Sequence, residues 1–189
     1  AFRDLLEPVG APVWCLPGNH DAPGLMGGPL GRAPFSFSGT AAVPGWHLVL
    51  LSAHLPGDHG GRLPDAELAR LSAELAAHRG DHVLVALHHH PVPLGSRWLD
   101  ELGLYNAAKF LAIIDGAPQV RCIVAGHGHQ ASDLERNGVR ILTTPSTCFQ
   151  FRPHMDRFAV DSRPPGYRWL ELGRDGSVRT EVGWADPPG

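Results

Sequence analysis

A layered α/β fold is what this 189-residue sequence predicts, and three observations carry that reading. Val83-Leu84-Val85-Ala86-Leu87 is an unbroken apolar run of strand length, the pattern of a strand covered on both faces. A second such run, Cys122-Ile123-Val124-Ala125, lies further on, and a helical pattern precedes each of the two. Helix and strand therefore alternate, which is the sequence mark of a layered α/β domain.

Taken in order, Ala1-Phe2-Arg3-Asp4-Leu5-Leu6 reads as the tail of a helix that no Met precedes, and the chain is expected to be cut from a longer one. A turn at Pro8 to Gly10 leads into the apolar run Val13-Trp14-Cys15-Leu16-Pro17, a strand. Ala22 to Arg32 is rich in Gly and Pro and is expected to be a loop. Phe35 and Phe37 alternate with serines, as in a short half-buried strand, and Trp46 to Ser52 forms a longer one. The loop that follows, through Pro64, holds His54, Asp58 and His59, for which a solvated setting is expected.

Asp65 to His78 is the clearest helix. Leu68, Leu71 and Leu75 share one face, Asp65 sits in the first turn, and Gly80 is placed to stop it. A second helix is expected from about Leu104 to Asp115, burying Phe110, Leu111 and Ile114. Beyond His129, Val139 to Thr143, Tyr167 to Leu172 and Val178 to Trp184 read as strands, with Asp175-Gly176 as a hairpin turn. This end is expected to be antiparallel and to close a second sheet.

Composition narrows the function. A hydrophobic fraction of 43% and a net charge of −3 suit a globular domain, and no basic excess points to nucleic acid. No apolar run has the length of a membrane span. Cys15, Cys122 and Cys148 are odd in number and lack metal-type spacing, which favours a reduced, cytoplasmic setting. One domain over residues 1–189 is expected, and oligomeric state is not legible.

Three of the strand-like runs end in donor groups: Gly18-Asn19-His20-Asp21, His88-His89-His90-Pro91 and Gly126-His127-Gly128-His129. Pro91 stops strand pairing, and ligands of open α/β sheets bind beyond the carboxyl ends of the strands. One His after a strand is ordinarily a loop residue; three such ends, if they share a sheet, place nitrogen and oxygen donors at one edge. That donor set suits zinc, manganese or iron. Without a thiolate cluster it is an open, catalytic site rather than a closed structural one. His127 and His129, one Gly apart, could serve two ions about 3.5–4 Å from each other, an arrangement suited to phosphoryl transfer. Neither a Gly-x-Ser-x-Gly nor a Gly-x-x-x-x-Gly-Lys motif occurs.

These three stretches resemble, in order, the last three motifs of the calcineurin-like metallophosphoesterases. Pro93, Ser96-Arg97-Trp98-Leu99-Asp100, Asn106, the run Thr144 to Pro153, Pro165-Gly166-Tyr167-Arg168 and Asp175-Gly176 are similar to the bacterial class III cyclic-AMP phosphodiesterases within that superfamily. The resemblance implies a metallophosphoesterase-type β-sandwich flanked by helices, incomplete at the N-terminus. It implies two divalent ions, iron or manganese with zinc as the alternative. Asn19, His88 and His127 would bind one ion and His129 the other. His88 is taken as the ligand because it is the first residue past the strand, and His89 is placed behind it or near the substrate. His20, oriented by Asp21, would face the phosphate and protonate the leaving oxygen. The implied reaction is hydrolysis of 3′,5′-cyclic AMP, a small-molecule partner, to 5′-AMP by a metal-bridging hydroxide.

The departure from the family pattern is large. No Asp-x-His occurs, and Gly57-Asp58 and Gly80-Asp81 come after Asn19 rather than before it. The chain by itself is therefore expected to be inactive, with those motifs either upstream or lost. Glycerophosphodiesters or other phosphate esters are the alternative substrates. A catalytically incompetent metal-binding module is the second alternative, and a nuclease is disfavoured by charge.

Overall fold

The computed structural model describes residues 2–185. Its elements run α1 (Phe2–Leu6), β1 (Val13–Cys15), α2 (Pro23–Leu30), β2 (Phe35–Phe37), β3 (Gly39–Val43), β4 (Trp46–Leu51), α3 (Asp65–Ala77), β5 (His82–Leu87), α4 (Arg97–Asp100), α5 (Ala107–Asp115) and β6 (Val120–Ala125). Then come β7 (Ser132–Arg136), β8 (Val139–Thr143), β9 (Gln150–Phe151), β10 (Val160–Asp161), β11 (Gly166–Leu172) and β12 (Val178–Trp184). A 3₁₀ turn, Glu7–Val9, follows α1, and Ala1 lies outside the described residues.

Six strands form the central sheet in the order β3-β4-β5-β6-β8-β7. β4, β5, β6 and β8 are mutually parallel, so all four carboxyl ends lie along one edge; β3 and β7 flank them antiparallel. The two faces are covered differently. On one side Leu68, Leu71 and Leu75 of α3 and Phe110 and Ile114 of α5 pack on Val83, Val85, Leu87 and Ile123. Burying a side chain of this size is worth about 1.5–3 kcal/mol, so the leucine stripe largely decides where α3 docks. On the other side Leu170, Leu172 and Val178 of the β11–β12 hairpin cover Trp46, Leu84, Cys122 and Leu142. Trp46 Nε1–H donates to the Gly173 carbonyl at 2.8 Å, and Gly176 takes the positive φ of 83° that the tight turn requires.

Three expectations need correction. Residues 23–30 form a helix rather than a loop. Pro23 suits the first helical turn, where a missing N–H costs nothing, but the interspersed glycines leave no apolar stripe to read. β8 is parallel to β6 within the central sheet rather than part of a second, antiparallel sheet, and the hairpin of β11 and β12 is what covers the sheet from the C-terminal end. β1 pairs in parallel with β2, Val13 opposite Phe35, in a two-stranded ribbon outside the central sheet. The donors after β1 therefore reach the others from a separate element, not from a shared edge. Among the described residues no helix is long and apolar enough to cross a membrane.

Candidate metal centre

Adjacent parallel strands β5 and β6 end level, Leu87 opposite Ala125, so the residues after them meet. The His88 carbonyl accepts from the N–H groups of both Gly126 and His127, at 3.0 and 2.8 Å, which locks the two turns together. His88 Nε2 then lies 3.3 Å from His127 Nδ1 and 3.0 Å from Asn19 Oδ1. A single N–H on His88 would have to serve both contacts at once. A cation would use all three lone pairs instead. Ligands at about 2.0–2.1 Å from a divalent ion stand roughly 3.0–3.4 Å from one another, the spacing seen here. His89 adds a third imidazole whose ligand atom lies within 4.8 Å of those of His88 and His127.

The electrostatics agree with ligation. Burial, reinforced by the neighbouring imidazoles, pushes His88 down to about 3 and His127 to about 2, so both keep free lone pairs at neutral pH. Burial likewise lowers His89 to about 4, against the opposing pull of its hydrogen bond to His59. His90 also falls to about 4 through burial, opposed by Asp100. His127 Nε2, His89 Nδ1 and both His90 ring nitrogens are buried and have no hydrogen-bond partner. Orphaned imidazole nitrogens are costly in an apolar setting, and an ion offsets that cost where it can be reached.

The β1 turn is held against this cluster. Gly18 N–H donates to Asp21 Oδ2 at 2.7 Å, so the Asp21 carboxylate shapes the turn that carries Asn19 and His20. His20 is exposed, its ring 5.6 Å from that of His59. Gly18 is needed for close approach: a Cβ there would lie 2.9 Å from His88 Cε1. His129 stands at the rim with φ of 44°, an uncommon conformation for a residue other than Gly. Its Nδ1 bonds the Phe149 carbonyl at 3.0 Å and its ring stacks on Phe151 at 4.4 Å, which leaves Nε2 as the free nitrogen. Burial lowers its pKa as well.

Sequence reasoning missed part of the supporting structure. His54 Nδ1 bonds the Gly18 carbonyl at 3.1 Å, and His89 Nε2–H donates to the His59 carbonyl at 3.2 Å. The loop read as solvated thus buttresses the centre. Asp58, at its tip, accepts from Tyr105 Oη and Gly60 N. Asn106 clamps Leu63 by accepting from its N–H and donating to its carbonyl, at 3.0 and 2.8 Å, and Asp100 accepts from Leu94 and Gly95 N–H. Those among these bonds that join distant residues have no periodic signal in the sequence.

Residues 1–131 match the family model described as calcineurin-like phosphoesterase. A Pseudomonas aeruginosa protein named 3′,5′-cyclic adenosine monophosphate phosphodiesterase CpdA is 38% identical, the match covering 98% of this chain and 68% of the relative. The protein of the same name from Escherichia coli (strain K12) is 41% identical, with 96% and 66% covered, so the chain spans about two thirds of these relatives' length. Among solved structures, a dimetal phosphatase from Danio rerio superposes with a TM-score of 0.58 at 18% identity, covering 90% of this chain and 71% of that one, a likeness of fold.

Proposed function

The chain belongs to the calcineurin-like phosphoesterase family, and from that premise we propose that it carries metal and substrate residues of a phosphodiesterase that hydrolyses 3′,5′-cyclic AMP to 5′-AMP. The convergence of Asn19 Oδ1, His88 Nε2 and His127 Nδ1 carries the metal half of this reading. The substrate comes from the activity in the names of the Pseudomonas and Escherichia relatives.

Asn19, His88 and His127 hold one divalent ion, and His129, its Nδ1 committed to Phe149, offers Nε2 to a second. Nitrogen and oxygen donors without thiolate suit iron, manganese or zinc, and the family resemblance favours iron or manganese, with zinc as the alternative. Such ions supply charge that neutralises phosphoryl oxygens and activates water. His20, exposed at the end of the β1 turn, faces the phosphate and gives its proton to the departing 3′ oxygen. Asp21 presents His20 through the turn it closes with Gly18. His89, tied to His59 and to the inside of the cluster, positions His88 and lies next to the substrate. The rings of Phe149 and Phe158, 41% and 59% exposed beside His129 and Phe151, offer faces on which a purine can stack. Residues 1–189 act as one domain in a cytoplasmic setting, consistent with three free thiols. With no Asp-x-His of its own, the chain taken alone holds at most one ion, weakly, at the Asn19–His88–His127 cluster and is inactive.

The test is a substrate panel on two proteins, this chain alone and the same residues joined to a family-type segment bearing Asp-x-His and Gly-Asp. With manganese or iron, the joined protein should release 5′-AMP from cyclic AMP faster than it cleaves glycerophosphodiesters. Preference for glycerophosphodiesters would overturn the substrate, and hydrolysis by the short chain would overturn its inactivity.

A further inference from the structure

The loop that follows β8 holds His129 from one side, and that loop is itself anchored by a buried side chain. His129 Nδ1 bonds the Phe149 carbonyl at 3.0 Å. A carbonyl oxygen can only accept, so Nδ1 carries the hydrogen and the neutral ring keeps its lone pair on Nε2. Phe151 stacks on the same ring with centroids 4.4 Å apart and planes within 5°, and Phe149 meets it edge-on at 5.4 Å. Phe151 N–H also donates to the His129 carbonyl at 3.4 Å. Phe149 and Phe151 thus face His129, while the side chain of Gln150 between them is fully buried.

The Gln150 amide is bonded on both sides. Oε1 accepts from Ser146 N–H at 2.9 Å, and Nε2 donates to the carbonyls of Ser146 and Pro164 at 2.8 and 3.0 Å. Turning the amide over would set its NH₂ against an N–H and its oxygen against two carbonyls, so only this orientation satisfies the group. The reciprocal pair with Ser146 closes residues 146–150 into a loop, and the bond to Pro164 ties that loop to the segment entering β11. Gly166 N–H reinforces the tie by donating to the Ser146 carbonyl at 2.8 Å. Burying an amide costs free energy unless it is bonded, and a fully bonded buried network fixes one arrangement. What the amide adds over an apolar residue of similar size is a fixed path for the backbone that presents the Phe149 carbonyl.

We propose that Gln150 is a positioning residue of the phosphodiesterase site: by clamping the loop after β8 it fixes the Phe149 carbonyl, and through it the Nδ1–H form and the aim of His129 Nε2. The inference rests on the reading of His129 as a ligand of the second ion, and it says what orients that ligand. A metal-bound imidazole ordinarily donates its other N–H to an oxygen acceptor, which sets both the tautomer and the direction of the ring. Here the acceptor is a backbone carbonyl, so its place depends on the course of the loop. Gln150 is the buried side chain that sets that course, without touching His129 or the substrate itself.

The experiment reads the His129 ring nitrogens by heteronuclear NMR in the metal-free chain at about pH 8, where imidazole is neutral. Wild type should show the Nδ1–H form alone. Gln150→Met keeps the bulk and loses all three bonds, whereas Gln150→Glu keeps the bond from Ser146 N–H and loses the two donated ones. Both variants should populate the Nε2–H form. Gln119→Met removes an amide bond of similar kind, 2.7 Å to the Leu75 carbonyl before β6, and should leave the His129 tautomer unchanged, so lost stability alone does not mimic the effect. In the same residues joined to a family-type segment bearing Asp-x-His and Gly-Asp, both Gln150 variants should keep the first manganese ion and bind the second about 10- to 100-fold more weakly. Excess manganese should then restore turnover. A wild-type tautomer in both Gln150 variants would overturn the proposal. Uptake of only one ion by the joined wild-type protein would overturn the second-ion reading instead, while the tautomer shift still decides whether Gln150 positions His129.

Discussion

Replacing Gly18 with Ala tests the close approach on which the proposed metal centre depends. Gly18 does not use a left-handed backbone, so Ala can adopt its conformation and the cost falls on the side-chain contact alone. The new Cβ would lie 2.9 Å from His88 Cε1 and 3.0 Å from its Nε2. Carbon atoms rest at about 3.5–4.0 Å, so the ring must retreat by about 0.6–1 Å. Overpacking of this kind costs about 1–3 kcal/mol. The same retreat opens the 3.0 Å contact with Asn19 and should weaken metal binding about 10- to 100-fold, as displaced supports of ligands do. Urea unfolding in chelator of wild type, Gly18→Ala, His88→Ala and the double variant isolates the contact. Gly18→Ala should destabilise the wild type by about 1–3 kcal/mol but change the His88→Ala background by less than about 0.5 kcal/mol, because no ring remains to clash. An equal cost in both backgrounds would show that Gly18 is required for some other reason.

Stability of the metal-free protein should fall as pH is lowered from about 6.5 toward 4. His88, His89 and His90 have folded-state pKa values of about 3 to 4, below the unfolded value of 6.5, so the unfolded chain takes up protons first. Each contributes about 1.4 kcal/mol per pH unit across that window, and a flat profile in urea midpoints would contradict their burial as neutral rings. In these residues joined to a family-type segment bearing Asp-x-His and Gly-Asp, His88→Ala should lose metal together with activity. His89→Ala should keep most of its metal and lose turnover; elemental analysis with the pattern reversed would move the ligand assignment one residue along. Asn106→Ala removes both bonds to Leu63 and should cost about 1–3 kcal/mol. A melting temperature equal to wild type would mean that the loop beneath His89 is held by other contacts.

Much of this protein was legible along the chain because the determining interactions are local or periodic. The leucines of α3 repeat at helical spacing, β5 and β6 are unbroken apolar runs, and both runs stop at residues that cannot continue a buried strand. Those signals singled out Asn19, His88, His127 and His129 as candidate donors, and the first three of these come together in the structure. Helix α2 escaped because its Gly- and Pro-rich sequence buries only Leu30 and so has no stripe to repeat. Which donors meet, however, is a matter of register and loop closure. Leu87 opposite Ala125 brings His88 beside His127, and a turn from the separate β1–β2 ribbon delivers Asn19 to the same point. The His54 and His59 supports likewise join residues 36 and 30 positions apart. Periodicity in a sequence reports which face of its own element a residue occupies. It carries no information on which other element that face will meet, because that is set by the packing of whole layers against one another.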